Sequence, residues 1–177
     1  MTSDRSDVLW RYFAGLTEQT FEGELGIVDP PLVDYVAELL VRFVHNDAIY
    51  GLRTPRGDRL LQVADMLAEA QARQGSARRR MHRHIGDFTL FWSGVYPEAL
   101  RELQSADKCD HFLNYCAQGK RAYKIASSIE SDEPTATAEL LQRMSDQFEM
   151  CAYGLREIRR EWERRDEDGT SPSRLLM

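Results

Sequence analysis

The residue types best suited to chemistry crowd into one stretch, RRRMHRHIGDFTLFWSGVYPE at positions 78–98. It combines guanidinium, imidazole, carboxylate and aromatic groups within about six helical turns. On a wheel of about 100° per residue, His84 lies about 60° from Met81, inside the arc formed by Met81, Ile85, Phe88, Phe91 and Trp92. Asp87 lies on the margin of that arc and Arg80 beside both. The i,i+3 spacing of His84 and Asp87 brings imidazole and carboxylate together, an arrangement suited to a general base or half of a metal site. The plainer reading is a polar cluster, Arg80–His84–Asp87, that ties one helix to a neighbour. His82 and Arg83 point away from the apolar arc, so His82 and His84 do not share a metal on a helix. Arg79 and Arg83, an i,i+4 pair expected to face solvent, form a candidate anion-binding or nucleic-acid-binding face. The net acidity of the chain opposes that last role. Phe88, Phe91, Trp92 and Tyr96 would line a ligand pocket or, more simply, fill a core.

The second cluster is CDHFLNYC at 109–116. On a helix Cys109 and Cys116 share a face but stand about 10.5 Å apart along the axis, too far for one zinc ion or a disulfide. They read as small core residues, as does Cys151. Asp107 and His111 form another His–carboxylate pair, so His84, Asp87 and His111 could hold a metal, haem or a small molecule if their helices face one another. No established metal, nucleotide or nucleophile motif accompanies them, and no cofactor is called for.

The elements that must position these groups are all helical. The run Asp29-Pro30-Pro31 is a helix start, with an acidic cap and then proline where no N–H is needed. Residues 31–46 carry one narrow polar stripe, Asp34, Glu38, Arg42 and His45, on an otherwise apolar helix, which should therefore be central. Ser6 or Asp7 caps a first helix, Gly15 suggests a break, and Gly23 and Gly26 end a second short helix. Residues 47–57 read as a loop. Helices follow from Asp58 to Gly75, at 76–96 and at 107–129, and 130–135 form a turn. A last helix carries a three-heptad seam of Leu141, Met144, Phe148, Cys151, Leu155, Ile158 and Trp162, packed inside the bundle or against a second chain. The expected fold is all-α, a single-domain bundle of five to seven largely antiparallel helices over residues 1–166. A disordered tail is expected at 167–177.

The segment HRHIGDFTLFWSGVYPE, positions 82–98, resembles a signature stretch of uncharacterised bacterial helical proteins. The resemblance extends over about residues 30–125 and implies an all-helical fold with no assigned catalytic residue.

The chain has 177 residues, 23 basic and 29 acidic, for a net charge of −6. Along the chain, residues 1–47 carry −6, 48–84 carry +5, 85–128 are neutral and 129–177 carry −5. The basic stretch should therefore lie against acidic side chains of the first or last helices. Three cysteines in 177 residues suit a reducing, cytoplasmic setting rather than a disulfide framework. No apolar run reaches the ~20 residues that span a bilayer. With no catalytic motif, segregated charge and a long heptad, the expectation is a non-enzymatic interaction or regulatory protein, self-associating or bound to a protein partner. Nucleic acid and membrane are disfavoured as partners.

Overall fold

The computed structural model describes residues 2–50, 57–98 and 108–169, with side chains at 7–44, 63, 66–98 and 115–169. The fold is an all-α helical bundle; among the described residues it comprises seven α-helices and one π-helical segment, with no strand. The helices are α1 (Thr2–Glu18), α2 (Pro30–Tyr50), α3 (Gly57–Ala72), α4 (Gly75–Val95), α5 (Lys108–Ser127), α6 (Ala138–Asp146) and α7 (Phe148–Glu167). The chain divides into a terminal unit, residues 1–54 and 153–177, and a middle unit, residues 55–152.

In the terminal unit α1 passes through Gly15 without a break and starts ahead of the expected Ser6 or Asp7 cap. The polypeptide then widens into the π-helical segment Gln19–Glu24. Gly26 closes this segment in the left-handed region (φ 68°), a conformation that glycine adopts without steric cost. Asp29 Oδ1 accepts the Leu32 N–H at 3.3 Å, so the acid-proline-proline start of α2 forms as its residue types dictate. The exposed residues Asp34, Glu38 and Arg42 follow the expected stripe, while Leu32, Val36, Leu39 and Leu40 are buried. The helix runs on to Tyr50, through the first part of the expected loop at 47–57, of which 51–56 lie outside the described residues. Aromatic edges close the core: Phe13 meets Trp162 at 5.2 Å between centroids, and Phe21 fills the space that Gly154 leaves.

In the middle unit α4 packs most extensively on α5 and also on α3, and α5 packs on α6. Residues 85–95 of α4 are buried without interruption, so α4 is the enclosed helix of this unit. Paired positions fix its direction against α5. A Cβ at Gly86 would lie 2.7 Å from the Tyr123 ring, and one at Gly119 would overlap Thr89 Oγ1 and the Phe148 ring. Falling numbers on α4 meet rising numbers on α5, so the two run antiparallel. Thr89 and Ser93, buried in this contact, donate to Ile85 O (2.7 Å) and Thr89 O (2.6 Å), so their hydroxyls cost little there.

The expected single last helix is two, broken at Gln147. Thr137, not a residue of the 130–135 turn, caps α6, its side chain accepting the Leu140 N–H at 3.2 Å. In the middle unit Leu141, Met144, Phe148 and Cys151 are fully buried, as are Leu155 and Ile158 in the terminal unit. The heptad seam is thus used up inside one chain.

Candidate functional site

The site expected around α4 is rearranged by the way that helix packs. His84, expected within the apolar arc, is exposed, with its ring 6.4 Å from that of Phe88. His82, expected to face outward, is 4 % exposed. Arg80 is exposed. Arg79, expected in solvent, is 2 % exposed and is among the largest fully enclosed side chains. These placements share one cause. The second packed face of α4 is lined by Arg79, His82, Gly86, Thr89 and Ser93, whose small or polar side chains a hydropathy count does not register. Leu90, opposite the main arc and fully buried, is the one residue that signals this face in the sequence.

Asp87 is 2 % exposed and accepts the Tyr123 phenol O–H at 2.7 Å. A buried carboxylate needs such donors to stay in place. Tyr123 reaches it because Gly86 lets the ring lie flat on the α4 backbone. Tyr123 escapes sequence reasoning, since the bond spans 36 positions. Cys116 and Cys151 are buried, as expected of core cysteines. Side chains at Asp107, Cys109 and His111 lie outside the described residues, so the expected convergence of His84, Asp87 and His111 is not described. Among the described residues no group of three His, Cys, Asp or Glu side chains is placed to hold a metal ion. Trp92 is buried and packs against Phe88, Phe91 and Tyr96 at 6.2, 5.8 and 5.7 Å between centroids.

The guanidinium cluster is divided by its partners. Arg79 donates to Glu133 Oε2 at 3.2 Å and to the Ala136 carbonyl, and Arg83 donates to Glu133 Oε1 at 2.5 Å. One acidic residue of the following turn thus bridges the two arginines nominated for anion binding. This is the pairing of basic and acidic segments that the charge pattern predicts, with the acid in a turn rather than in the first or last helix. Arg78 and Arg80 are exposed and belong to no such pair among the described residues.

His82 is the unexplained member. Both ring nitrogens are buried without a hydrogen-bond partner. Burial holds its pKa below the ordinary 6.5, and the charges of Arg78 and Arg121 add to the effect. No family model, curated protein or solved structure matches the chain. No helix among the described residues is long and apolar enough to cross a membrane.

Proposed function

We propose that the protein is a non-enzymatic helical interaction or regulatory protein that acts as a homo-oligomer in the cytoplasm. Kinship with the uncharacterised bacterial helical proteins that residues 82–98 resemble belongs to the same reading. The observation that carries it is apolar surface on α7: Met150 and Tyr153, one helical turn apart, are 45 % and 48 % exposed. The heptad seam is occupied, so self-association uses this outer face instead.

A second copy of the same chain is the proposed occupant, the charges along that face being paired within the chain, Glu149 with Lys120, Arg160 with Glu157, and Arg164 with Glu161 and Asp168. Glu149 lies at the start of the stripe, and Arg160 and Arg164 near its end. An antiparallel copy centred near Arg156 and Glu157 sets Glu149 opposite Arg164, and Tyr153 opposite Arg160. An isologous contact of this kind is self-complementary and closed.

Light scattering on the full chain at about 50 µM, a concentration at which moderate interfaces are occupied, tests the reading. The expected mass exceeds the 20.4 kDa of one chain, and the double variant M150E/Y153E returns to that value with its helical circular dichroism intact. A monomer at that concentration rules the homo-oligomer out.

A further inference from the structure

His82 lies on a stripe of α4 between two positions that are each held from across the helix. One turn towards the C-terminus, Gly86 lies beneath the Tyr123 ring. One turn towards the N-terminus, Arg79 donates to Glu133 Oε2 at 3.2 Å and to the Ala136 carbonyl, and the neighbouring Arg83 donates to Glu133 Oε1 at 2.5 Å. Gly86 with Tyr123 and Thr89 with Gly119 set an antiparallel register, which places His82 level with Ala126 in the last turns of α5. Ala126 and Ala136 have no exposure. The imidazole is thus closed in by the end of α5 and by the 128–137 turn, which Arg79 and Arg83 fasten to α4.

Closed, this place accepts only the neutral ring. Both nitrogens are buried without a hydrogen-bond partner, so no acceptor waits for a second N–H. Glu133, the carboxylate of the fastening, is committed to the two guanidinium groups. The other charges that act on the ring are Arg78 from α4 and Arg121 from α5, both positive; among the described residues none from α3, α6 or the turn joins them. Opened to water, the same ring takes up a proton with its ordinary pKa of 6.5. A proton that binds only the open form draws the equilibrium towards it. The turn is the part able to open by itself. It is fastened by a few polar bonds around Glu133, which is 37 % exposed, whereas residues 85–95 of α4 are buried without interruption.

We propose that His82 is an acid-operated latch, whose protonation releases the 128–137 turn and the end of α5 from the start of α4 while the α4–α5 contact beyond Gly86 stays closed. Release exposes the Arg79 and Arg83 guanidinium groups and frees Glu133, so the surface offered to a partner differs between neutral and weakly acidic pH. The latch is independent of the self-association face and stands or falls without it.

Native-state hydrogen exchange of the full chain tests this, with each amide rate divided by its intrinsic rate at the same pH to give an opening constant. The probes are Ser128, Ile129 and Ala136, whose amides are hydrogen-bonded in the closed turn. Their opening constants should rise about tenfold from pH 7.5 to 5.5, the factor by which a group of ordinary histidine pKa favours its exposed state over that interval. Amides at 89–93 and 116–120 should keep theirs. H82L retains an enclosed side chain that takes up no proton, and abolishes the rise. E133Q weakens the fastening, so it raises the opening constants at both pH values and preserves their ratio. Four results overturn the proposal: opening constants indifferent to pH, an equal rise at 89–93 and 116–120, a rise that persists in H82L, or a ratio lost in E133Q, which would assign the response to Glu133.

Discussion

The two compact units are held together by different physics. In the terminal unit the side chains at the centre are large and apolar. Phe13, Leu16 and Phe21 are essentially without exposure, and the aromatic contact of Phe13 with Trp162 is edge-on. In the middle unit the contact of α4 with α5 is built from absence and from polarity. Gly86 and Gly119 remove side chains so that Tyr123 and Phe148 approach backbone, while Arg79, His82, Asp87, Thr89 and Ser93 are buried in a helix that would be solvated if hydropathy decided. Apolar area tolerates approximate shape, whereas close backbone approach and buried polar groups tolerate neither added volume nor lost partners. The terminal unit should therefore fail in proportion to the volume removed, and the middle unit on small additions and on protonation.

The largest effect is expected from Phe13→Ala. Removing a fully buried ring that three-dimensional packing cannot refill costs about 3–5 kcal/mol. Native-state hydrogen exchange should show the loss in the amides of α1 and α2, with those of α4 and α5 retaining most of their protection. Equal loss in both units would erase the distinction between them.

Next is Gly119→Ala, a substitution that raises helix propensity by about 1 kcal/mol and would stabilise an exposed helix. Here the added methyl meets Phe148 and Thr89 Oγ1, and overpacking of that kind costs about 1–3 kcal/mol. The expected net outcome is a lower midpoint in urea unfolding. An unchanged or higher midpoint would show that the α4–α5 contact yields as readily as the apolar core.

The smallest effect is on pH. The folded-state pKa of His82 lies below the ordinary 6.5, so the unfolded chain binds more protons in weak acid. The contribution of His82 is favourable above pH 6.5 and is lost as pH falls through the interval down to its folded-state value. Thermal unfolding from pH 7.5 to 5 in a phosphate-free buffer should show this decline, and H82L should flatten it. A decline that survives in H82L would assign it to other groups. Glu161 is not a candidate: Arg164 and Arg165 hold it at about 2, below that range.

How much of this was legible in the sequence depends on which signal each residue carries. The stripe Asp34–Glu38–Arg42 announced α2, and Asp29 before two prolines announced its start, because both are local: spacing on one helix and the chemistry of one cap. The heptad from Leu141 to Ile158 correctly marked buried positions, yet it ran without interruption across the break at Gln147, since register survives a change of helix when the spacing is kept. The wheel for α4 failed at His82, His84 and Arg79. It inferred burial from apolar residues alone, while the partner face of α4 is made of glycine, threonine, serine and charged groups. The pairings of Asp87 with Tyr123 and of Arg79 and Arg83 with Glu133 span 36, 54 and 50 positions, beyond the reach of any local pattern.

By itself, then, the sequence determined the helical class, the cap of α2, most of the helix spans and the imbalance of charge along the chain. These follow from short-range sterics, hydrogen bonding and hydropathy period, which act within a few turns. Only the tertiary structure decided which polar groups are enclosed and who their partners are. That choice depends on two glycines letting one helix close on another, and a close approach is a property of both surfaces at once. The same approach buries His82 without a partner and gives Arg79 its partner in Glu133.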